Sequence, residues 1–374
     1  MSVTYRRLPW MAFVLVIGLG WSQRASAAPH ESPGADACQR SIEQGIAFLK
    51  TIQTPDGAYS PAAGTGVTAV VVSALLRIGR SPDDPLVAKS LKYLEGFVQP
   101  DGGVHGPESL YANYETCLAI ACFSLANRDG RYAQVIRAAE KSIKKQQWDE
   151  DEGQQKSDYS YGGAGYGKHK RPDLSNTSFF IEALKAAGAG PDDPAMQKAL
   201  LFVSRCQNLE SEHNTSEFAA KNPDGGFYYT AAAGGSSMAG TTSEGGLRSY
   251  GSMTYAGLKS MLYAGVGPDD PRVKAAVRWI QKHYDLQSNP GMGDAGLYYY
   301  YHIFAKALDA MGQDEIQDAS GARRDWRLDL RQALIGRQQP NGSWLNTNSR
   351  WLEGDPALVT GYALLTLSYC RPAK

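Results

Sequence analysis

Two kinds of apolar pattern alternate along the chain. SIEQGIAFLKTI (41–52) carries apolar residues at helical spacing with polar residues between them, the mark of a half-buried helix. TGVTAVVVSALLRIG (65–79) is apolar nearly all round, and a helix of that kind must be enclosed by others. The pair recurs: 90–103 with 114–126, 138–148 with 176–188, 199–207 with 253–265, 275–284 with 300–312, and 330–344 with 357–370. The first member carries charge, as at Lys89, Lys92 and Glu95 or Lys141, Lys144 and Lys145, while the second is mostly Ala, Leu, Val, Ile and Phe. This predicts an all-α protein of six units and about twelve helices, with a charged outer layer and an apolar inner layer.

The joints between units repeat as well. AGVGPDDP (264–271), GAGPDDP (188–194) and GRSPDDP (79–85) each follow an apolar run. Glycine ends one helix, Pro stops continuation, an Asp caps the next helix, and the second Pro suits its first turn. A solenoid would also bury the inner helices, but it needs polar caps at both ends. The last apolar pattern runs to the C-terminal end with no polar helix after it, which favours closure into a ring. Residues 41–374 are therefore expected to form one (α/α)6 toroid, preceded by a flexible segment at 28–40.

Composition narrows the function. Thirty-eight basic and 38 acidic residues leave no net charge, so nothing marks a nucleic-acid partner. Arg6 and Arg7 precede an apolar run from Leu8 to Trp21, followed by Ala25-Ser26-Ala27, the layout of a signal peptide cleaved after Ala27. Export to the periplasm or medium is expected, with no membrane span after cleavage. Five cysteines remain. Cys38 and Cys370 lie at opposite chain ends, where ring closure could pair them, whereas Cys117 and Cys122 read as small buried hydrophobes.

QQPNGSW (338–344) resembles the Q-x-x-x-G-x-W motif of squalene and oxidosqualene cyclases, and QTPDGAY (53–59) and QPDGGV (99–104) resemble degenerate copies. DLSNTSFFIEAL (173–184) is similar to the pattern that opens their inner helices. The chain thus resembles the prenyltransferase/squalene-oxidase repeat proteins, which implies the (α/α)6 toroid. It also implies a pocket at the face where the inner helices begin. In the turn, the glutamine is expected to bond helix-end carbonyls, the glycine to permit the bend, and the aromatic to pack over the junction.

The resemblance says less about chemistry. Class II cyclases of this family protonate substrate with Asp-x-Asp-Asp, and no such motif occurs; WDEDE (148–152) follows an outer helix, and the PDDP acids read as caps. Protein prenyltransferases hold zinc with Asp-x-Cys and a His. Glu115-Thr116-Cys117 and Tyr301-His302 echo these, but they fall in the second and fifth units. Inner helices three places apart stand roughly 18–20 Å from each other across a ring, while zinc bonds are ~2.0–2.3 Å. No metal and no cofactor are expected.

The candidate catalytic residues are Glu115 at the start of the second inner helix, His302 after a run of four tyrosines, and Asp173 at the start of the third. Tyr111, Tyr114, His105, Tyr250, Tyr255 and Tyr298 are candidates for ligand contact, since tyrosine offers an apolar face and a polar tip. The inserts 149–173 and 208–252, rich in Gly, Ser and Tyr, precede inner helices and should lie near the pocket; His169 lies in the first. The expected function is binding of a hydrophobic, isoprenoid-like ligand or a partner chain. The alternative is an enzyme acting on terpenoids or glycans through pocket Glu, His or Tyr residues.

Overall fold

The computed structural model describes Met1, residues 33–167 and residues 171–371. The signal-peptide reading and His169 lie outside the described residues. Helices α1 (Pro33–Ile52), α2 (Gly66–Arg77), α3 (Pro85–Glu95), α4 (Ala112–Ala126), α5 (Ala133–Lys144) and α6 (Leu174–Ala187) form the first three pairs. They are followed by α7 (Pro194–Arg205), the short α8 (Glu217–Lys221), α9 (Gly251–Tyr263), α10 (Pro271–Lys282) and α11 (Leu297–Met311). A small antiparallel hairpin, β1 (Glu315–Gln317) and β2 (Arg323–Asp325), precedes α12 (Trp326–Ile335) and α13 (Pro356–Tyr369). Helix α1 starts at Pro33, inside the segment expected to be flexible.

Helices α2, α4, α6, α9, α11 and α13 each pack on the next, and α13 returns to α2, closing a ring of six. The remaining long helices pack outside it, so the molecule is an (α/α)6 toroid. Every residue of α2 from Gly66 to Leu76 is buried, as its all-round apolar pattern requires. The repeated joint behaves as its residues dictate. Asp84, Asp193 and Asp270 accept hydrogen bonds from the first-turn amides of α3, α7 and α10, and Pro85, Pro194 and Pro271 stand at the first helical position.

The glutamine-glycine turn locks neighbouring units. Gln338 Nε2 donates to Gly342 O in its own turn and to Ser41 O of α1, both at 2.9 Å, so this copy closes the outer ring. Gln53, Gln147 and Gln207 likewise reach Leu86 O, Ala195 O and Arg272 O on the next outer helix. The motif glycine has a left-handed φ in Gly57, Gly102, Gly162, Gly225 and Gly342, and in each a Cβ would collide with the backbone of the next outer helix. The turn is then bolted to its inner helix. The amides of Tyr59, Val104, Ala164, Phe227 and Trp344 donate to Thr68, Thr116, Thr177, Thr254 and Thr360, each in the early part of the following inner helix. The copies built on Gln147 and Gln207 escaped sequence reading because the two inserts fall in or directly after them.

All five cysteines are buried free thiols, so the pairing considered for Cys38 and Cys370 is not formed. Among the described residues, no helix is long and apolar enough to cross a membrane.

Candidate ligand cavity

First-turn residues of all six inner helices converge on one cavity of about 750 Å³. The ring axis is therefore open at the end where the inner helices begin. Gly66 comes from α2, Tyr114 and Glu115 from α4, Ser175 from α6, Met253 from α9, Tyr299 from α11 and Leu358 from α13. The inserts complete the wall, the first through Tyr166 and the second through Tyr229, Met238 and Tyr250. Seven tyrosines line the space, with Phe179 and Trp351.

Four aromatic rings from four helices form the floor. Tyr114 meets Phe179 edge-on at 5.2 Å, Phe179 lies 6.0 Å from Tyr299, and Tyr299 lies 6.3 Å from Tyr362. Tyr114 and Tyr362 approach through their hydroxyls at 3.5 Å, and the Tyr299 hydroxyl bonds to Ser175 Oγ at 2.9 Å. Burial raises the pKa of the tyrosine hydroxyls, so these residues act as neutral polar tips on apolar plates.

The mouth is apolar and strained. Leu110 and Tyr111 on one side, and Trp351 and Leu352 on the other, are among the most exposed large hydrophobic side chains. Trp351 and Leu352 have φ of 55° and 64°, a region that costs a β-carbon-bearing residue of order 1–3 kcal/mol. A second depression of about 540 Å³, between the end of α1 and the start of α13, shares Leu352.

Three carboxylates are buried at the starts of alternate inner helices. Glu115 Oε1 accepts from Thr65 N at the start of α2, at 3.2 Å, and its carboxylate lies so close to Gly64 that a Cβ there would overlap it. Glu115 Oε2 is buried and forms no hydrogen bond, although the Ser109 hydroxyl and the Gly106 amide stand near the carboxylate. Burial raises the Glu115 pKa, opposed by the Ser109 hydroxyl, by the Thr65 and Gly106 amides, and by His105. Asp173 caps α6 through Asn176 N at 2.9 Å, and burial lifts its pKa to about 6. Glu353 accepts from Tyr299 N at 2.8 Å and Asn346 Nδ2 at 2.7 Å, and burial raises it too.

The cavity gathers Glu115, Tyr111, Tyr114 and Tyr250 from the residues singled out in the sequence. The others lie elsewhere. His302 is one turn deeper than Tyr299, stacked on Tyr362 at 5.4 Å beneath the aromatic floor, with its pKa pushed well down by burial and by Lys306. Asp173 is buried as a helix cap behind the wall, near Tyr229 and Tyr166. Tyr255 is packed between Tyr300 and Phe304, and Tyr298 against Tyr301, because successive helical residues turn by about 100° and only Tyr299 of the four-tyrosine run faces the axis. His105 bonds Gly106 O at 2.7 Å through Nδ1, just outside the lining. Below the floor, Glu182 of α6 binds Lys259 of α9 at 2.7 Å and Lys306 of α11, which fills the other end of the axis with a buried charge cluster. Among the described residues, no group of three His, Cys, Asp or Glu side chains is placed to hold a metal ion.

Residues 60–232 match the family model of the squalene-hopene cyclase C-terminal domain. A type II terpene cyclase from Scytonema, solved with its product merosterolic acid A, superposes with a TM-score of 0.51 at 16% identity, covering 90% of this chain and 98% of that one. The chain shares the α/α toroid fold of that cyclase. The same scaffold appears in a polysaccharide lyase (TM-score 0.54, 10% identity, 90% of this chain and 97% of that one). A D-mannose isomerase shares it too (0.53, 12%, 91% and 98%). At such identities the likeness establishes the fold of the cyclase-like toroid and assigns it no activity. No curated protein sequence matches the chain.

Proposed function

We propose that this cyclase-like toroid is an exported protein that binds a hydrophobic, isoprenoid-like ligand in the tyrosine-walled cavity. The observation that carries the reading is the cavity itself. Its 750 Å³ falls within the roughly 300–1,000 Å³ of small-molecule sites, its wall is aromatic, and its rim is exposed and apolar. Export rests on the Arg6-Arg7, apolar run and Ala25–Ala27 pattern, and N-terminal sequencing of the mature protein should begin at Ala28.

Binding is tested by calorimetric titration with farnesol, a neutral isoprenoid alcohol. One site per chain is expected, and Ala63→Trp, which fills the cavity from its partly exposed wall, should abolish it. Farnesol binding that is unchanged in Ala63→Trp would place the ligand elsewhere and overturn the reading.

A second reading, an enzyme acting on terpenoids or glycans, is favoured by one observation: Glu115 lines the cavity and burial raises its pKa, as a general acid would need. It is tested by incubation with candidate substrates and product analysis. Turnover lost in Glu115→Gln supports it, and turnover retained removes Glu115 from that role.

A further inference from the structure

The cavity wall is unequal in what it offers a charged ligand. Among the described residues, its only ionisable side chains other than tyrosine are Glu108 and Glu115, and no Lys, Arg or His lines it. The six inner-helix N-termini beneath it would ordinarily attract an anion, but each is already engaged by protein acceptors. Thr65 N binds Glu115, Asn113 N binds Tyr166 O, Asn176 N binds Asp173, and Ser252 N binds Asn289 Oδ1. Tyr299 N binds Glu353, and the amides of Ala357 and Leu358 bind Asp355. Among the described residues, an anion entering this space finds a carboxylate and no cationic partner lining it.

A cation meets the opposite situation. Glu115 lines the cavity at 2% exposure, and its Oε2 is buried beside the cavity wall without a hydrogen-bond partner. A buried carboxylate oxygen left unpaired is costly, and a ligand cation relieves that cost. The aromatic plates of Tyr114, Phe179, Tyr299 and Tyr362 supply the rest, because ring faces attract a cation whose weak hydration makes it easy to bury. Rings of this wall already behave so: the Arg350 guanidinium lies 4.3 Å from the Trp351 centroid and that of Arg171 5.7 Å from Tyr229, and neither arginine lines the cavity.

We infer that the cavity is an aromatic–carboxylate cage for an organic cation: an amphiphile whose apolar body fills the tyrosine-walled space and whose substituted ammonium group pairs with Glu115. The inference rests on the reading of the cavity as a hydrophobic ligand site and adds the charge of that ligand.

Three eight-carbon probes separate the two claims by calorimetry on the full mature chain: octyltrimethylammonium, octan-1-ol and octanoate. The ammonium should bind about tenfold tighter than the alcohol or better, and octanoate more weakly than the alcohol. Glu115→Gln, whose amide oxygen can still accept from Thr65 N, should abolish the tenfold advantage of the ammonium over the alcohol. Tyr299→Leu should also shrink the ammonium's advantage. If the alcohol binds and the ammonium binds no tighter, the cation inference fails while the hydrophobic site stands. If neither binds, the site itself is refuted. An advantage that survives Glu115→Gln would remove the carboxylate from the cage.

Discussion

At the scale of single residues, Asp173 links burial to pH. One of its oxygens caps α6 and the other accepts from Asn176 Nδ2, both out of water, and burial raises its pKa to about 6. A carboxyl with a raised folded pKa holds its proton longer in the folded state than in the unfolded one. The stability this supplies is complete below the unfolded value of about 4 and is lost as pH rises through 6. Two pKa units correspond to about 3 kcal/mol. Asp173→Asn keeps a cap-forming side chain and removes the titration, so its stability relative to wild type should rise by up to about 3 kcal/mol between pH 4 and 7 in urea unfolding. A constant difference across that range would contradict the assigned burial cost. The site residues were legible only in part, for a reason that operates at this scale. Glu115, Tyr111, Tyr114 and Tyr250 stand at or next to helix starts, where position alone places them at the pocket face. Within α11 the apolar pattern continues all round, so no polar face gives the helical phase, and nothing in LYYYYHIF separates Tyr299 from Tyr298 or His302.

Between elements, the interlocks are made by a few polar side chains. Gln207 is wholly buried and donates to Gly225 O and Arg272 O, both at 2.9 Å, tying the end of α7 to α10. Gln207→Met keeps the volume and strands both carbonyls, so a loss of about 2–4 kcal/mol is expected in denaturant unfolding. A loss under ~0.5 kcal/mol would mean the turn holds without its glutamine. Glu182 does comparable work at the closed end of the axis, joining α6, α9 and α11. Burial pushes its carboxyl up, but Lys259 and Lys306 outweigh that and hold it well below the usual range. Glu182→Gln leaves the fully buried Lys259 without its counter-charge and should cost about 3–5 kcal/mol, while replacing all three by apolar residues of similar volume should recover most of it. Helix pairs and joints were legible because each repeats, and glycine, proline and aspartate act there locally. The charge cluster was not, since Glu182, Lys259 and Lys306 each sit singly in apolar runs and meet only when the ring closes.

The molecule as a whole depends on that closure. At Gly361 of α13 a Cβ would stand 3.1 Å from Val70 Cγ1 and 3.2 Å from Val71 Cγ2 of α2, so the first and last inner helices meet closely there. Gly361→Val should overpack this seam, lowering stability by about 1–3 kcal/mol, read from the shift of the thermal midpoint. An unchanged midpoint would mean the seam has slack. Closure was legible from the resemblance carried by the QQPNGSW turn, whose Gln338 reaches α1. The inserts were legible as pocket neighbours but not in detail, because their aromatic residues are spaced by glycine turns rather than by a helical period. The most direct test of the ligand site is a crystal structure of the protein soaked with farnesol. Density for the isoprenoid chain is expected between Tyr114, Phe179 and Tyr299, reaching the mouth at Trp351. A saturated crystal with an empty cavity, or with farnesol bound only at another surface, would contradict it.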